Sequence, residues 1–572
     1  MPNQTPQTPS LHDEARARRR GALRRGAILT ACVLAAGITG CSADSALSEA
    51  SPSGADFEGD PNDGPGGNGG DNDGQGEQEP GDPPPEPEFV PEVEERFTFQ
   101  APRSSRNYVF VANSSLDSVA KIDAETLAIT SIEVGDRPTI VQTHQGENLA
   151  VVLNEGSDEV SVIRAGDGDD YVRNLRLPPS MNALRIAPRG DFALAWFDFR
   201  AAQQDEEFDL DAAAPPFQDV ALIDLEEGAE RVLHLTVGFQ VTDVSFDDAG
   251  QRAFVITRTG ISVVEMDAID RDRAILPVPV VEQQIEDDIE REVAITGDGR
   301  FAFVRTAGLE GLNVVDLGSR QIALVTLSDI PTDLDIVPGQ GKALAVLRRT
   351  SELAVIELPA AIEDPESVRV IALGEEPAGL VELTPDARRA LVFTSVEERK
   401  AITVVDLETE TFEVHPLRKG VRGVSISPEG NMAVIFHSRL EGTPIPGEPE
   451  DDFIAKSHAY SLFDINTGYS KLETIPTEAG EFIFSDLTRR LYLLLSDPAR
   501  DVRQLEIIDL TSFRTESLRL GSPPEHVGLI PNDGSPRIYI SQEHPVGRMT
   551  FIDERSDEIK TVTGFELNSL ID

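Results

Sequence analysis

Residues 380–423 read LVELTPDARRALVFTSVEERKAITVVDLETETFEVHPLRKGVRG, and this stretch decides the fold class. It contains four short apolar runs, at residues 380–383, 390–394, 402–407 and 412–417. The runs are too short for helices, and the polar residues between them favour turns, so they predict a four-stranded antiparallel meander. A single sheet of this kind has two faces to cover and does not fold alone. The stretch therefore needs copies of itself packed alongside.

Variants of this unit recur from Arg96 to the C terminus. Ten repeats are recognisable, with first strands predicted to begin near Arg96, Thr139, Leu184, Val244, Val293, Leu334, Leu380, Val424, Phe482 and Val527. Most are about 40 to 50 residues apart, which is the spacing of propeller blades. The third strand, as in residues 220–224 (VALID), is apolar at nearly every position, which indicates a sheet covered on both faces. The sequence thus predicts an all-β β-propeller of about ten four-stranded antiparallel repeats, either as one large ring or as two smaller rings.

The first repeat carries a family resemblance. Residues 107–113 (NYVFVAN), followed by Ile122-Asp123 and by residues 134–138 (VGDRP), resemble the YVTN-type, lactonase-like β-propeller repeat of bacterial surface and envelope proteins. This resemblance implies a propeller domain over residues 96–572 and is nearly silent on activity.

The N-terminal segment indicates export. Residues 1–40 combine an arginine-rich start with the apolar run 27–38, which is too short to span a bilayer and has the flanks of a signal peptide. The run leads to Ile38-Thr-Gly-Cys41, which resembles the lipobox of bacterial lipoproteins. The resemblance implies cleavage before Cys41 and a lipid on its thiol. Because Ser42 resembles an outer-membrane sorting preference, we expect an outer-membrane lipoprotein of the cell envelope, held to the membrane through Cys41, on either the periplasmic or the exposed side.

Composition defines a linker and excludes one class of partner. Residues 41–95 are rich in Gly, Pro, Asp and Glu and contain no Lys or Arg, so they predict a disordered, extended acidic tether. The whole chain has 50 basic and 101 acidic residues, a net charge of −51. Nucleic acid is not expected as a partner, because phosphate binding relies on Lys and Arg.

The repeats show no motif of a catalytic or cofactor site. The two cysteines, Cys32 and Cys41, both precede the repeats, which leaves the propeller without a disulfide, a thiolate metal site or a cysteine nucleophile. Aspartates recur where third strands end, and we interpret them as turn-capping residues: Asp123, Asp224, Asp316, Asp406, Asp464, Asp509 and Asp553. No catalytic residue, metal ligand or cofactor is predicted, although acidic loops leave calcium binding open as an alternative.

Candidate ligand-binding residues come from the connections between repeats. In a meander, the second-to-third loop and the connection to the next repeat emerge on the same face, which in a propeller surrounds the mouth of the channel. The charged residues of these connections are the predicted ligand-binding set: Arg137, Asp243, Asp333, Glu376, Arg422, Glu525 and His526. Repeats three and eight carry insertions on this face, at residues 200–218 and 440–457. If one ring closes, the two insertions face each other across it.

Two functions follow as expectations. The favoured one is a lipid-anchored, non-enzymatic binding or scaffold module that holds an envelope protein or polymer at the channel mouth. The alternative is a propeller hydrolase or lactonase with carboxylate and calcium chemistry in the central channel. Several inward carboxylates together with a histidine would favour the enzyme, whereas scattered charges on a broad face would favour the binding module.

Overall fold

The computed structural model describes residues 100–166, 168–204, 216–281, 291–374, 378–396, 399–439, 449–532 and 534–565. The predicted signal peptide, the linker, Cys41 and Glu376 lie outside these residues, and the statements made about them stay predictions. Within the described residues the chain forms ten β-sheets that follow one another along the sequence. We number these sheets as blades 1 to 10.

The strands run in chain order through the blades. Blades 1 to 3 contain β1 (Arg103–Ser104), β2 (Tyr108–Asn113), β3 (Ser118–Asp123), β4 (Ile129–Glu133), β5 (Pro138–His144), β6 (Leu149–Asn154), β7 (Glu159–Arg164), β8 (Tyr171–Arg176), β9 (Ala183–Ile186), β10 (Phe192–Trp196), β11 (Asp219–Asp224) and β12 (Arg231–Thr236). Blades 4 to 6 contain β13 (Val241–Phe246), β14 (Arg252–Thr257), β15 (Gly260–Glu265), β17 (Arg291–Ile295), β18 (Phe301–Thr306), β19 (Gly311–Asp316), β20 (Gln321–Thr326), β21 (Pro331–Val337), β22 (Lys342–Leu347), β23 (Glu352–Glu357) and β24 (Arg369–Ala372). The short β16 (Arg273–Ala274) precedes β17 in the chain but belongs to the sheet of blade 3. Blades 7 to 10 contain β25 (Leu380–Leu383), β26 (Arg389–Phe393), β27 (Ala401–Asp406), β28 (Thr411–Pro416), β29 (Val421–Ile426), β30 (Met432–His437), β31 (His458–Asp464), β32 (Ser470–Ile475), β33 (Ala479–Ser485), β34 (Arg490–Asp497), β35 (Val502–Asp509), β36 (Arg514–Arg519), β37 (Pro524–Ile530), β38 (Arg537–Gln542), β39 (Arg548–Asp553) and β40 (Ile559–Thr563).

The middle strands of each blade form the core. All six residues of β2, β6 and β38 are buried, whereas five of the six residues of the outermost strand β8 are exposed. Burial on both faces explains why the second and third strands are apolar at nearly every position instead of alternating. A run that is apolar at nearly every position therefore marks a middle strand of a blade.

A separate apolar cluster fills each interface between neighbouring blades, and the ten clusters establish one closed ring. Nine join consecutive blades from 1–2 to 9–10. The tenth joins Val109 and Ile122 of blade 1 to Tyr539 and Phe551 of blade 10. The choice between one large ring and two smaller ones is thereby resolved in favour of a single ten-blade propeller.

Ring closure uses side chains of the first and last blades. The Ser104 hydroxyl donates to the carbonyl of Leu529 at 2.7 Å, and the Tyr539 hydroxyl donates to the carbonyl of Pro102 at 3.2 Å. Each strand of blade 10 comes from the C-terminal end of the chain and each strand of blade 1 from the N-terminal end. The ends are therefore joined by packing and hydrogen bonds between two complete blades.

Blades 3 and 4 depart from the four-stranded pattern. Blade 4 has three strands, while blade 3 has a fifth, because β16 pairs in parallel with β12. The chain then returns to blade 4 through a single bridge between Ile261 and Val278. Pro277 and Pro279 flank that bridge, and since proline has no N–H to donate, a regular fourth strand does not form there.

The described residues include three short α-helices between strands: α1 (Phe199–Gln204), α2 (Ala360–Glu363) and α3 (Pro449–Lys456). Helix α1 overlaps the start of the first predicted insertion (residues 200–218), and α3 lies within the second (residues 440–457). They belong to blades 3 and 8, which are five blades apart in either direction around the ring, so the insertions lie on opposite sides of it. In the described part of the chain, no helix has the length and apolar character needed to cross a membrane.

Candidate functional site: the mouth face and its acidic sector

Strand register fixes which loops share a face. In blade 7, Leu380 at the start of β25 pairs with Phe393 at the end of β26, and Ala401 at the start of β27 pairs with Pro416 at the end of β28. The second-to-third loop and the connections between blades therefore emerge together, as predicted. We call this side the mouth face. First strands of neighbouring blades, such as β21 and β25, contact each other, so these strands surround the channel.

The recurring aspartates lie at turns on the opposite face, and their interpretation as turn caps is confirmed. Asp406 Oδ1 accepts hydrogen bonds from the amides of Glu408 and Thr409 and from the Thr409 hydroxyl, at 3.1, 2.8 and 2.9 Å. These bonds hold the pKa of Asp406 below its usual value. The other aspartates of the series accept one or more amides in the same way: Asp123, Asp224, Asp316, Asp464, Asp509 and Asp553. Their carboxylates are occupied by the backbone.

Two of the predicted ligand-binding residues form ion pairs near their own position. Arg137 is exposed, has a left-handed backbone with φ of 49°, and directs its guanidinium at Glu155 Oε2, 3.4 Å away. Asp243 lies on the first strand of blade 4 and pairs with Arg185 of blade 3 at 3.1 Å. The structure thus places both on the mouth face, with each charge already balanced by a partner.

Three further predicted residues lie in blades 8 and 10. Arg422 pairs with Glu478 of blade 9, and burial lowers the pKa of this guanidinium. The His526 Nδ1 lies 2.9 Å from Glu481 Oε1, so blades 9 and 10 are linked by this contact. Burial raises the pKa of the neighbouring Glu525. Most charges of the predicted set therefore connect adjacent blades, while Glu376 lies outside the described residues.

Asp333 has a structural role that the sequence does not reveal. Its Oδ2 accepts the amide of Val381, on the first strand of the next blade, at 2.8 Å. Glu481 does the same for Val527 between blades 9 and 10, at 3.2 Å. First strands expose one edge to the channel, and an unpaired edge amide is costly when it is shielded from water. These carboxylates therefore join neighbouring blades by bonding to the free edge.

Four carboxylates cluster on the channel wall of blades 5, 6 and 7: Glu292, Asp333, Asp335 and Glu382. We call this group the acidic sector. Burial, followed by the negative charges of Asp333, Glu382 and Glu292, raises the pKa of Asp335 to about 8. Burial and the charge of Asp333 raise the pKa of Glu382 to about 7. Burial is also the largest influence on Asp333, whose pKa is raised.

Positive charge reaches only part of the acidic sector. Glu292 pairs with Arg305 at 2.6 Å. Among the described residues, neither Asp335 nor Glu382 has a hydrogen-bond partner or an ion pair through its side chain. Asp335 consequently keeps its proton at neutral pH and Glu382 keeps it for part of the time, and a cation brought beside them would favour the ionised form. Within the acidic sector, these two residues are the described carboxyls without a partner.

Sequence reasoning missed Asp335 and Glu382 because it considered connections instead of strands. The available signal was a polar residue inside a first strand, as in Asp333-Leu334-Asp335 and Val381-Glu382, where apolar neighbours fill the blade interfaces. The strand register aligns Asp335 opposite Leu344 and Glu382 opposite Leu391, which are equivalent positions in blades 6 and 7. A repeat alignment made with this register would have identified both.

Among its described residues, the acidic sector contains no imidazole and no recognisable metal-ligand set. Over the described ranges, no three His, Cys, Asp or Glu side chains come close enough together to hold a metal ion. An enzyme would be favoured by carboxylates next to a histidine. For the predicted mouth residues, that contact is made by His526 with Glu481, which lie in blades 10 and 9 and not beside Asp335 or Glu382. Protonated carboxyls that gain a cationic partner form charge-assisted hydrogen bonds, which are stronger than neutral ones.

No protein-family model and no curated protein matches the sequence. Solved structures that resemble the chain include dihydro-heme d1 dehydrogenase NirN in complex with DHE, at 13% identity and a TM-score of 0.37, covering 73% of each chain. Hydrazine synthase of Kuenenia stuttgartiensis is similar at 14% identity and a TM-score of 0.28, over 58% of this chain and 98% of that one. A eukaryotic initiation factor is similar at 12% identity and a TM-score of 0.44, over 75% of this chain and 97% of that one. Likeness at this level carries no argument about activity.

Proposed function

We propose that the chain is a lipid-anchored β-propeller of the cell envelope that acts as a non-enzymatic binding or scaffold module, and that its channel mouth binds a protein or polymer bearing cationic groups. The observation that carries this proposal is the pair of unbalanced carboxyls in the acidic sector, Asp335 and Glu382. Lipidation of Cys41, outer-membrane location and the YVTN-type family enter from the sequence and belong to the same proposal.

The other mouth charges explain why the acidic sector is the place to bind. Arg137, Asp243 and Arg422 are each paired with an opposite charge, and His526 contacts Glu481 at 2.9 Å, so a ligand that approached them would have to displace an existing contact. Asp335 and Glu382 are in the opposite situation, because a cation relieves both the burial of charge and the repulsion from Asp333. Ammonium and guanidinium groups supply this relief together with hydrogen-bond donors.

The first test uses a defined cationic probe. A fluorescent decalysine peptide is titrated against the propeller at about pH 6 and about pH 9, with the double variant Asp335→Asn/Glu382→Gln alongside. Binding by the wild type should strengthen as pH rises, because the two carboxyls ionise in this window, and the double variant should lose that increase. Glu408→Gln/Glu516→Gln is the matched control, since it removes two exposed carboxylates on the opposite face and on an outer strand. Equal binding by the two double variants at both pH values would exclude the acidic sector as the binding site.

The pKa of Asp335 also favours a second candidate, a propeller hydrolase or lactonase with carboxylate and calcium chemistry. A carboxyl that titrates near neutral pH in a channel is suited to general base catalysis. The two functions differ in turnover. If simple lactones are hydrolysed in the presence of calcium and Asp335→Asn abolishes the rate, the enzyme is the correct assignment; the binding module predicts no hydrolysis that depends on Asp335.

A further inference from the structure

A second region of the mouth face has the opposite charge. A cavity of about 370 Å³ lies where the insertion of blade 8 meets blade 9. Its lining consists of Arg439, Phe453, Lys456, Ser457, His458, Thr474, Ile475, Pro476 and Arg500. The described lining thus contains three cationic side chains and a histidine but no Asp or Glu. Two of the cations have an aspartate partner outside the lining: Lys456 pairs with Asp452 at 2.9 Å and Arg500 with Asp497 at 3.3 Å. In a chain with a net charge of −51, such a lining is a marked departure from the average surface.

The cations of this cavity come from three separate segments that the fold brings together. Arg439 follows β30, Lys456 ends helix α3, and Arg500 lies in the short turn Pro498–Arg500 of blade 9. Two hydrogen bonds position the guanidiniums: Arg439 Nε donates to the Lys456 carbonyl at 2.8 Å, and an Arg500 terminal nitrogen donates to the Pro476 carbonyl at 3.4 Å. These contacts hold one guanidinium on the blade 8 side of the cavity and one on the blade 9 side.

The end of helix α3 is held in place by a buried lysine. Lys419 Nζ donates to the carbonyls of Ile454, Ala455 and Ser457 at 2.5, 2.9 and 2.9 Å. A helix C terminus carries negative partial charge on its free carbonyls, and an ammonium there offsets it. The helix therefore presents Lys456 and Phe453 from a fixed support.

The pKa of His458 reflects burial and the positive charges around the cavity. Burial, followed by the charges of Arg439, Arg500, Arg422 and Lys419, lowers the pKa of this imidazole. Each of these four neighbours is cationic, and they come from blades 7 to 9. The same field that disfavours a positive charge on His458 favours an anion in the cavity.

One wall of the cavity is apolar. Phe453 is 62% exposed, and Ile475 and Pro476 lie on the same lining. Cations beside an exposed aromatic ring suit a ligand that combines an anionic group with an apolar body, because the ring gains buried area while the anion gains charge-assisted bonds.

We propose that this cavity is an anion-binding site for a small molecule or terminal group that carries a phosphate or carboxylate on an apolar body. The Arg439 and Arg500 guanidiniums bind the anion from two sides, and Phe453 packs on the apolar part. Arg500 and Lys456 share their charge between the anion and the aspartates they already contact, Asp497 and Asp452. The cavity is lined by none of the acidic sector residues, so an experiment on one site can support or contradict its proposal without deciding the other.

The test titrates phenyl phosphate, benzoate and inorganic phosphate into the propeller and follows the His458 imidazole by NMR, with the resonance assigned by a His458→Gln variant. Bound anion should raise the pKa of His458 and shift its resonance saturably. Arg500→Gln should weaken phenyl phosphate about tenfold, the loss expected for one charge-assisted hydrogen bond. Phe453→Ala should weaken phenyl phosphate and leave inorganic phosphate unchanged.

Arg519→Gln is the matched control, since this arginine of blade 9 is similarly exposed, pairs with Asp501, and does not line the cavity. It should bind like the wild type. Saturable binding of either phenyl probe, with loss in Arg500→Gln alone, supports the site, and the stronger probe identifies whether phosphate or carboxylate is preferred. An unshifted His458 with all three probes, or equal weakening by Arg500→Gln and Arg519→Gln, would overturn it.

Discussion

Replacing Asp335 by asparagine should change how the stability of the ring depends on pH. The pKa of Asp335 is about 8 in the folded protein, whereas the ordinary value is 3.8. Between about pH 5 and pH 7 the folded state keeps a proton that the unfolded state has lost, so stability falls as pH rises. One full proton corresponds to about 1.4 kcal/mol per pH unit, or at most about 3 kcal/mol over this window. Water in the channel screens part of the effect, and we expect about 1 to 3 kcal/mol.

The amide of the Asp335→Asn variant has no proton to lose, so this variant should show a flatter profile and exceed the wild type in stability at about pH 8. Urea unfolding at several pH values measures this, with the fluorescence of Trp196, the single tryptophan, as the signal. Trp196 is 5% exposed and lies in blade 3, away from the mutation. Asp270→Asn removes an exposed aspartate outside the channel and should keep the wild-type slope. If Asp335→Asn and the wild type have the same slope, the carboxyl is well solvated and the account of the acidic sector is wrong.

Three further predictions concern the ring itself. Val404→Asp should unfold the domain, because Val404 is buried between blades 7 and 8 and an unpaired charge there has no partner; an unchanged melting curve would contradict this. Tyr539→Phe should lower the free energy of unfolding by about 1 to 3 kcal/mol, because the carbonyl of Pro102 loses its donor at the interface between blades 1 and 10. An unchanged free energy in urea unfolding would mean that this bond does not help to close the ring. Lys419→Met should leave the carbonyls at the end of α3 without their donor and speed amide hydrogen exchange in α3. Exchange in the blade cores is the internal control. Unchanged protection of the α3 amides would show that Lys419 does not stabilise this helix.

The sequence predicts the repeat with good accuracy because local patterns determine it. In blade 7 the four predicted strands agree with β25 to β28 to within about one residue at each end, and nine of the ten predicted first-strand starts lie inside a first strand. The start predicted near Arg96 lies outside the described residues, and the described first strand of blade 1 is β1. Runs that are apolar at every position correctly indicate the buried middle strands.

What the sequence does not predict depends on contacts between distant segments. A single ring follows from the packing of Val109 against Tyr539, residues from opposite ends of the chain. The pairing of β16 with blade 3 spans a shorter stretch of chain but still skips the strands of blade 4, although Pro277 and Pro279 do mark the missing strand of blade 4.

In the candidate site, too, the sequence predicts the placement of residues but not their contacts with distant segments. Charged residues such as Arg137 and Asp243 could be assigned to the mouth face from the meander alone, but their ion pairs with Glu155 and Arg185 could not. The raised pKa values of Asp335 and Glu382 arise from burial and from nearby carboxylates. Asp333 lies on the same strand as Asp335, so that proximity is visible in the sequence, whereas the burial and the approach of Glu382 and Glu292 from neighbouring blades require the folded ring.

Site-specific photo-crosslinking in cells that express the full chain tests the central claim most directly. A photoreactive residue at Ser425, on the first strand of blade 8 next to the acidic sector, is compared with one at Glu408 on the opposite face. We predict a discrete adduct from position 425 whose partner carries Lys, Arg or amine groups at the crosslinked segment, and its loss in the Asp335→Asn/Glu382→Gln background. Equal adducts from positions 425 and 408, or an adduct that persists in the double variant, would contradict the claim that the acidic sector of the channel mouth is the binding site.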